Sequence, residues 1–115
     1  MKAQNSVYTP KKDGTAPGGY PRVRFTPANI SQSFSLTNTT DNNRLFRFEF
    51  RPVPNGTEII TVDNKRQIVT SSAGNNRFRD FNKRWFRFQR GNNLIIAEGN
   101  GTLEITYMFA KRVGG

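Results

Sequence analysis

The chain has 115 residues, a net charge of +10 from 18 Lys+Arg against 8 Asp+Glu, and 34% hydrophobic residues. That describes one domain with an economical core and an excess of cations suited to an acidic partner. With no Cys and no His, disulfides, thiolate metal sites, a Cys nucleophile and the commonest general base are excluded. No apolar run approaches the roughly 18 residues of a membrane span, and MKAQNSVYTPKKDG lacks the apolar core of a secretory signal, so neither membrane insertion nor export is expected.

Residues 1–20 read as a flexible N-terminal arm. Pro10, Pro17, Gly14, Gly18 and Gly19 break any periodicity, and such a composition cannot bury enough surface to fold alone. Tyr8, Lys11, Lys12 and Tyr20 are the arm residues expected to contact a neighbour during assembly. From residue 21 to 115 the pattern is that of strands. RVRF and SFSLT alternate, and RLFRFEFR sets Phe46, Phe48 and Phe50 on one face against Leu45, Arg47, Glu49 and Arg51 on the other. EIITV and RQIVT flank a tight turn at DNK, in which Asp63 is a turn residue.

RWFRFQ, Arg84 to Gln89, is the next alternating run, followed by LII and by TLEITYMFA, where Leu103, Ile105, Tyr107 and Phe109 share a face. Asn- and Gly-rich turns separate these runs, and Asn29, Asn38, Asn55 and Asn100 in N-x-S/T triplets are read as turn chemistry rather than glycan acceptors. Roughly eight short strands at regular spacing, with no helical period, predict an all-β antiparallel β-sandwich of galectin-like or jelly-roll type.

The stretch FNKRWFRFQRGNN interleaves cations with rings. A groove for single-stranded nucleic acid needs that composition, but a strand with one wet face has it too. Alternation assigns Phe86 and Phe88 to the core and leaves Trp85 on the polar face with Arg87, a candidate interface aromatic. Arg77, Arg79, Lys83, Arg84, Arg87 and Arg90 form a basic cluster, either a solvated face or a patch for an acidic partner. RWFRFQR lacks the glycine of the RNA-reading ribonucleoprotein motif, so nucleic-acid binding is expected to be at most non-specific. The eight carboxylates form no paired motif and no phosphate-loop signature is present, so no enzymatic activity, metal or cofactor is expected.

Three stretches carry a family likeness in order. They are YPRVRFTPANISQSFSLTNTTDNNRLFRFEF, NGTEIITVDNKRQIVTSSAGNN and RWFRFQRGNNLIIAEGNGTLEITYMFAKR. From Tyr20 onward they resemble the C-terminal, galectin-like β-sandwich domain of distal tail proteins of tailed bacteriophages. The family's N-terminal ring-building domain has no counterpart in residues 1–20. The resemblance implies a structural virion protein of the tail or baseplate, or a decoration. Its partners would be other virion proteins and its own copies in an oligomer or ring. A single-stranded nucleic-acid-binding β protein and a carbohydrate-binding module are the alternative functions.

Overall fold

The computed structural model describes residues 3–8 and 19–106. The described residues form eight strands in two four-stranded antiparallel sheets. They are β1 (Ala3–Tyr8), β2 (Arg22–Pro27), β3 (Ser33–Asn38), β4 (Arg44–Glu49), β5 (Ile60–Asp63), β6 (Ile68–Ser71), β7 (Asn93–Gly99) and β8 (Gly101–Thr106). The first sheet has the order β1-β7-β3-β4 and the second β6-β5-β2-β8. Short 3₁₀ turns occur at Thr39–Asp41 and Phe78–Asp80. The fold is therefore the expected sandwich, and no helix among the described residues is long and apolar enough to cross a membrane.

Period-two alternation builds the core. Phe34, Leu36, Phe46, Phe48, Ile95 and Ala97 face inward from the first sheet, and Val23, Phe25, Ile60 and Val62 from the second. Phe25 and Phe34 stack across the sandwich at 3.8 Å between centroids, and Phe46 meets Phe34, Phe48 and Phe86 edge-on. Phenylalanine thus supplies what aliphatic residues do in richer cores. Leu103 and Ile105 pack against this cluster, while Tyr107 and Phe109 lie outside the described residues.

Two corrections to the strand reading stand out. Ala3–Tyr8, assigned to a flexible arm, form β1 and pair with β7 from Ala3↔Glu98 to Tyr8↔Asn93. Arg84–Gln89, read as a strand, joins no ladder. Phe88 makes a single bridge to Gly19, and several of the other backbone groups are met by side chains. Phe86 N–H donates to Asn64 Oδ1 (2.8 Å) and Gln89 N–H to Asn93 Oδ1 (2.7 Å). Trp85 C=O accepts from Arg44 Nε (2.8 Å) and Arg87 C=O from Asn38 Nδ2 (2.9 Å). Phe86 and Phe88 still point into the core, so the alternation holds for these two rings although there is no ladder. Among the described residues, no buried side-chain nitrogen or oxygen lacks a partner, as a native interior requires.

The chain crosses from the first sheet to the second between β7 and β8 at Asn100. Gly99 and Gly101 flank it at φ +145° and +154°. A Cβ on Gly101 would stand 2.3 Å from the Thr26 carbonyl oxygen, so glycine is required there.

Candidate functional site

β4 is the margin of the first sheet and would expose a row of unpaired backbone groups. The segment Asp80–Asn82 covers it. Phe81 bridges Phe48, and Asn82 N–H donates to the Arg47 carbonyl at 3.0 Å. The Asn82 side chain imitates a peptide unit: Oδ1 accepts from Arg47 N–H (3.2 Å) and Nδ2 donates to Leu45 C=O (2.8 Å). Asp80 Oδ2 accepts from Arg51 N–H at 3.2 Å. Arg79, Lys83 and Arg84 flank this segment, near Arg47 and Arg51 of the covered edge.

Two adjoining open hollows result. One, of about 310 Å³, is lined by Arg47, Glu49, Arg51, Arg79, Asp80, Phe81 and Asn82. The other, of about 320 Å³, shares Arg47, Glu49 and Arg51 and adds Gln32, Ser33, Phe50 and Val53. The side chain of Arg51 is 85% exposed and that of Arg79 62%. Glu49 is the exposed acid here, with Arg47 Nη2 at 3.2 Å.

The basic cluster expected from sequence is divided by the fold. Arg79, Lys83, Arg84 and Arg90 are exposed, and of these four Arg79 alone lines one of the two hollows. Lys83 Nζ donates to Phe81 C=O (2.9 Å) and stands over the Phe78 ring at 4.6 Å. Arg77 has to be removed from the patch: it is 2% exposed. Its Nη2 and Nε donate to Glu58 Oε1 (2.7 Å) and Oε2 (2.9 Å), and its Nη1 to Pro52 C=O (2.7 Å) and Asp80 Oδ2 (3.0 Å). This bidentate pair fastens the β5 approach to the Phe78–Asp80 turn. It holds the Glu58 carboxyl down to about 2, chiefly through the Arg77 hydrogen bonds, against burial and with help from Ser71 and Asn75.

Arg87 is half-buried and committed internally. Its Nε and Nη2 donate to Asp41 Oδ2 (2.7 Å) and Oδ1 (3.1 Å), while Gln89 Nε2 donates to Asp41 Oδ1 (2.6 Å). The Arg87 bonds lower the Asp41 carboxyl, and Asp41 raises the Arg87 guanidinium in turn, with Tyr20 contributing a further hydrogen bond. Trp85 is also corrected. It is 9% exposed and packs edge-on against Phe81 at 4.8 Å, so it is core rather than an interface ring. Tyr20 is exposed. Tyr8 lies opposite Asn93 in β1, and Lys11 and Lys12 lie outside the described residues. Sequence reading missed Arg47 and Arg51 as site residues because alternation alone marks them as an ordinary wet face.

Fold and surface together define the class: a small antiparallel β-sandwich with a cationic groove along one sheet margin. The family follows from comparison with family models, in which the phage tail C-terminal domain matches residues 6–107; the chain belongs to that family. It is thus a phage tail domain and a virion component, made to contact other virion proteins. Neither the curated proteins nor the solved structures yield a match.

Proposed function

We propose that this domain is a non-catalytic structural part of the phage tail, acting by protein–protein assembly in the baseplate or as a decoration, in a homo-oligomer or ring. The family match over residues 6–107 is the observation that carries this reading. The galectin-like resemblance of the sequence supports a place near the tail tip. Nucleic-acid contact is non-specific in this account: the rings of Trp85, Phe86 and Phe88 are buried and offer no stacking platform. Mass spectrometry of purified virions, with immunogold labelling, tests the proposal. The protein is expected in the tail fraction with gold at one tail position. Absence from tails would refute it.

A further inference from the structure

We propose that the cationic groove on the β4 margin, together with the apolar loop tip at Ile30, is the surface by which this domain docks on an acidic face of a different tail protein. The proposal rests on the tail-assembly reading and names the partner's chemistry.

Charge is the first argument. Of the two acids in the groove, Asp80 lies under Arg77 at 3.0 Å with its side chain 4% exposed, and Glu49 sits beside Arg47. Arg51 and Arg79 are largely exposed and held by long or single contacts, Arg51 Nη2 at 4.0 Å from Glu49, Arg79 Nε at 3.9 Å from Asp80 and Arg79 Nη2 donating to Arg51 C=O at 3.1 Å, on an edge whose backbone groups are met by Asn82 and Asp80. A carboxylate from outside would find guanidinium forks there, the geometry that binds carboxylate bidentately.

Ile30 is the second, independent argument. It is 76% exposed, yet holds φ +60°, a left-handed conformation that is an outlier for a β-branched residue. Asn or Gly would occupy it without strain. The loop is pinned by Ala28 N–H to Asn100 C=O (2.8 Å), Ser31 N–H to Ala28 C=O (3.0 Å) and Ser31 Oγ to Asn100 C=O (3.1 Å). Ile30 stands two residues from Gln32, which lines the second hollow with the exposed Val53. Within this chain a strained, water-facing isoleucine gains nothing. Seated in a partner, it supplies the apolar anchor that a charged rim lacks.

The same features select against other occupants. A second copy docking by this face would set cations against cations. Single-stranded nucleic acid would use the cations but has no need of Ile30, and it would want successive ring faces, whereas Phe81, Trp85, Phe86 and Phe88 are buried and the exposed Phe78 ring already has Lys83 over it.

The test is incorporation into tails when the full-length protein is supplied to a phage lacking its gene. Arg51→Gln/Arg79→Gln and, separately, Ile30→Asn are each expected to lower copies per tail at least about tenfold, equivalent to about 1.4 kcal/mol of docking. Lys65→Gln/Arg66→Gln removes the same charge from a different hollow and is expected to incorporate normally. Ile30→Asn is also expected to raise Tm, separating its docking loss from misfolding. Normal incorporation of the Arg51/Arg79 variant, or equal loss in the Lys65/Arg66 control, would overturn the proposal while leaving the tail reading intact. Wild-type protein missing from tails would overturn the tail reading and this proposal with it. In an NMR titration, deca-glutamate should shift Arg51 and Arg79 resonances more than (dT)12 at equal charge. Shifts there with (dT)12 alone would transfer the groove to nucleic acid and overturn the protein partner.

Discussion

Glu58 and Arg77 show how much of this protein's charge is structural. Glu58 accepts four hydrogen bonds, from Arg77 Nε and Nη2, Ser71 Oγ and Asn75 Nδ2. Its carboxyl is held at about 2 against an ordinary 4.5, so its contribution is complete above pH 4.5 and is lost as pH falls toward 2. The difference corresponds to about 3 kcal/mol. Thermal unfolding followed from pH 7 to pH 2 should show Tm falling through that window. Glu58→Gln should cost about 3 kcal/mol at pH 7, because a buried guanidinium loses its principal counter-charge, and should flatten the fall. Asp41, also lowered by its arginine, leaves a remainder. Ile30 makes the opposite case: Ile30→Asn should stabilise the isolated domain by about 1 kcal/mol by removing left-handed strain, read from urea midpoints. Neither residue could have been singled out from sequence. Arg77 looks like its basic neighbours until the fold buries it, and nothing in PANISQ signals a positive φ at Ile30.

At the scale of elements, the segment from Arg84 to Gln89 explains why alternation is insufficient evidence of a strand. From Phe86 to Gln89 its side chains keep the period, with Phe86 and Phe88 inward, but Trp85 is buried beside Phe86, and its backbone partners include the amides of Asn38, Asn64 and Asn93. Those asparagines read as turn residues in sequence, because a buried Asn serving another segment's backbone has no local signature. Asn64→Leu should cost about 2 kcal/mol, since it orphans the Phe86 N–H and leaves the Pro21 carbonyl, which Asn64 Nδ2 meets at 2.7 Å, only the longer bond from the Asn64 backbone N–H at 3.4 Å; chemical denaturation measures it. Asn82→Leu should uncover the β4 margin and produce concentration-dependent self-association by analytical ultracentrifugation. By contrast, the inward faces of β2, β3 and β4 and the hairpin turn at Asp63, whose Oδ1 accepts from Arg66 N–H at 3.1 Å, were legible. Each of those follows from period-two pattern or local turn chemistry alone. β1 was not legible: the sheet position beside β7 stabilises a segment that its own composition would leave unpaired.

For the whole molecule, the excess of cations and the burial of acids act in one direction. Asp41, Glu58 and Asp80 are sequestered by Arg87 and Arg77, so the solvent-facing charge is more basic than the composition implies. The interface built on it should weaken with salt, because exposed pairs are screened within about 8 Å at physiological ionic strength. Release of the domain from isolated tails should therefore rise between about 0.15 M and 1 M NaCl. The most direct test of the account is cryo-electron microscopy of the intact tail at side-chain resolution. The account predicts the groove between Arg47, Arg51 and Arg79 filled by Asp or Glu side chains of a different tail protein, with Ile30 seated in an apolar depression of that protein. A groove facing open solvent in the assembled tail would contradict it.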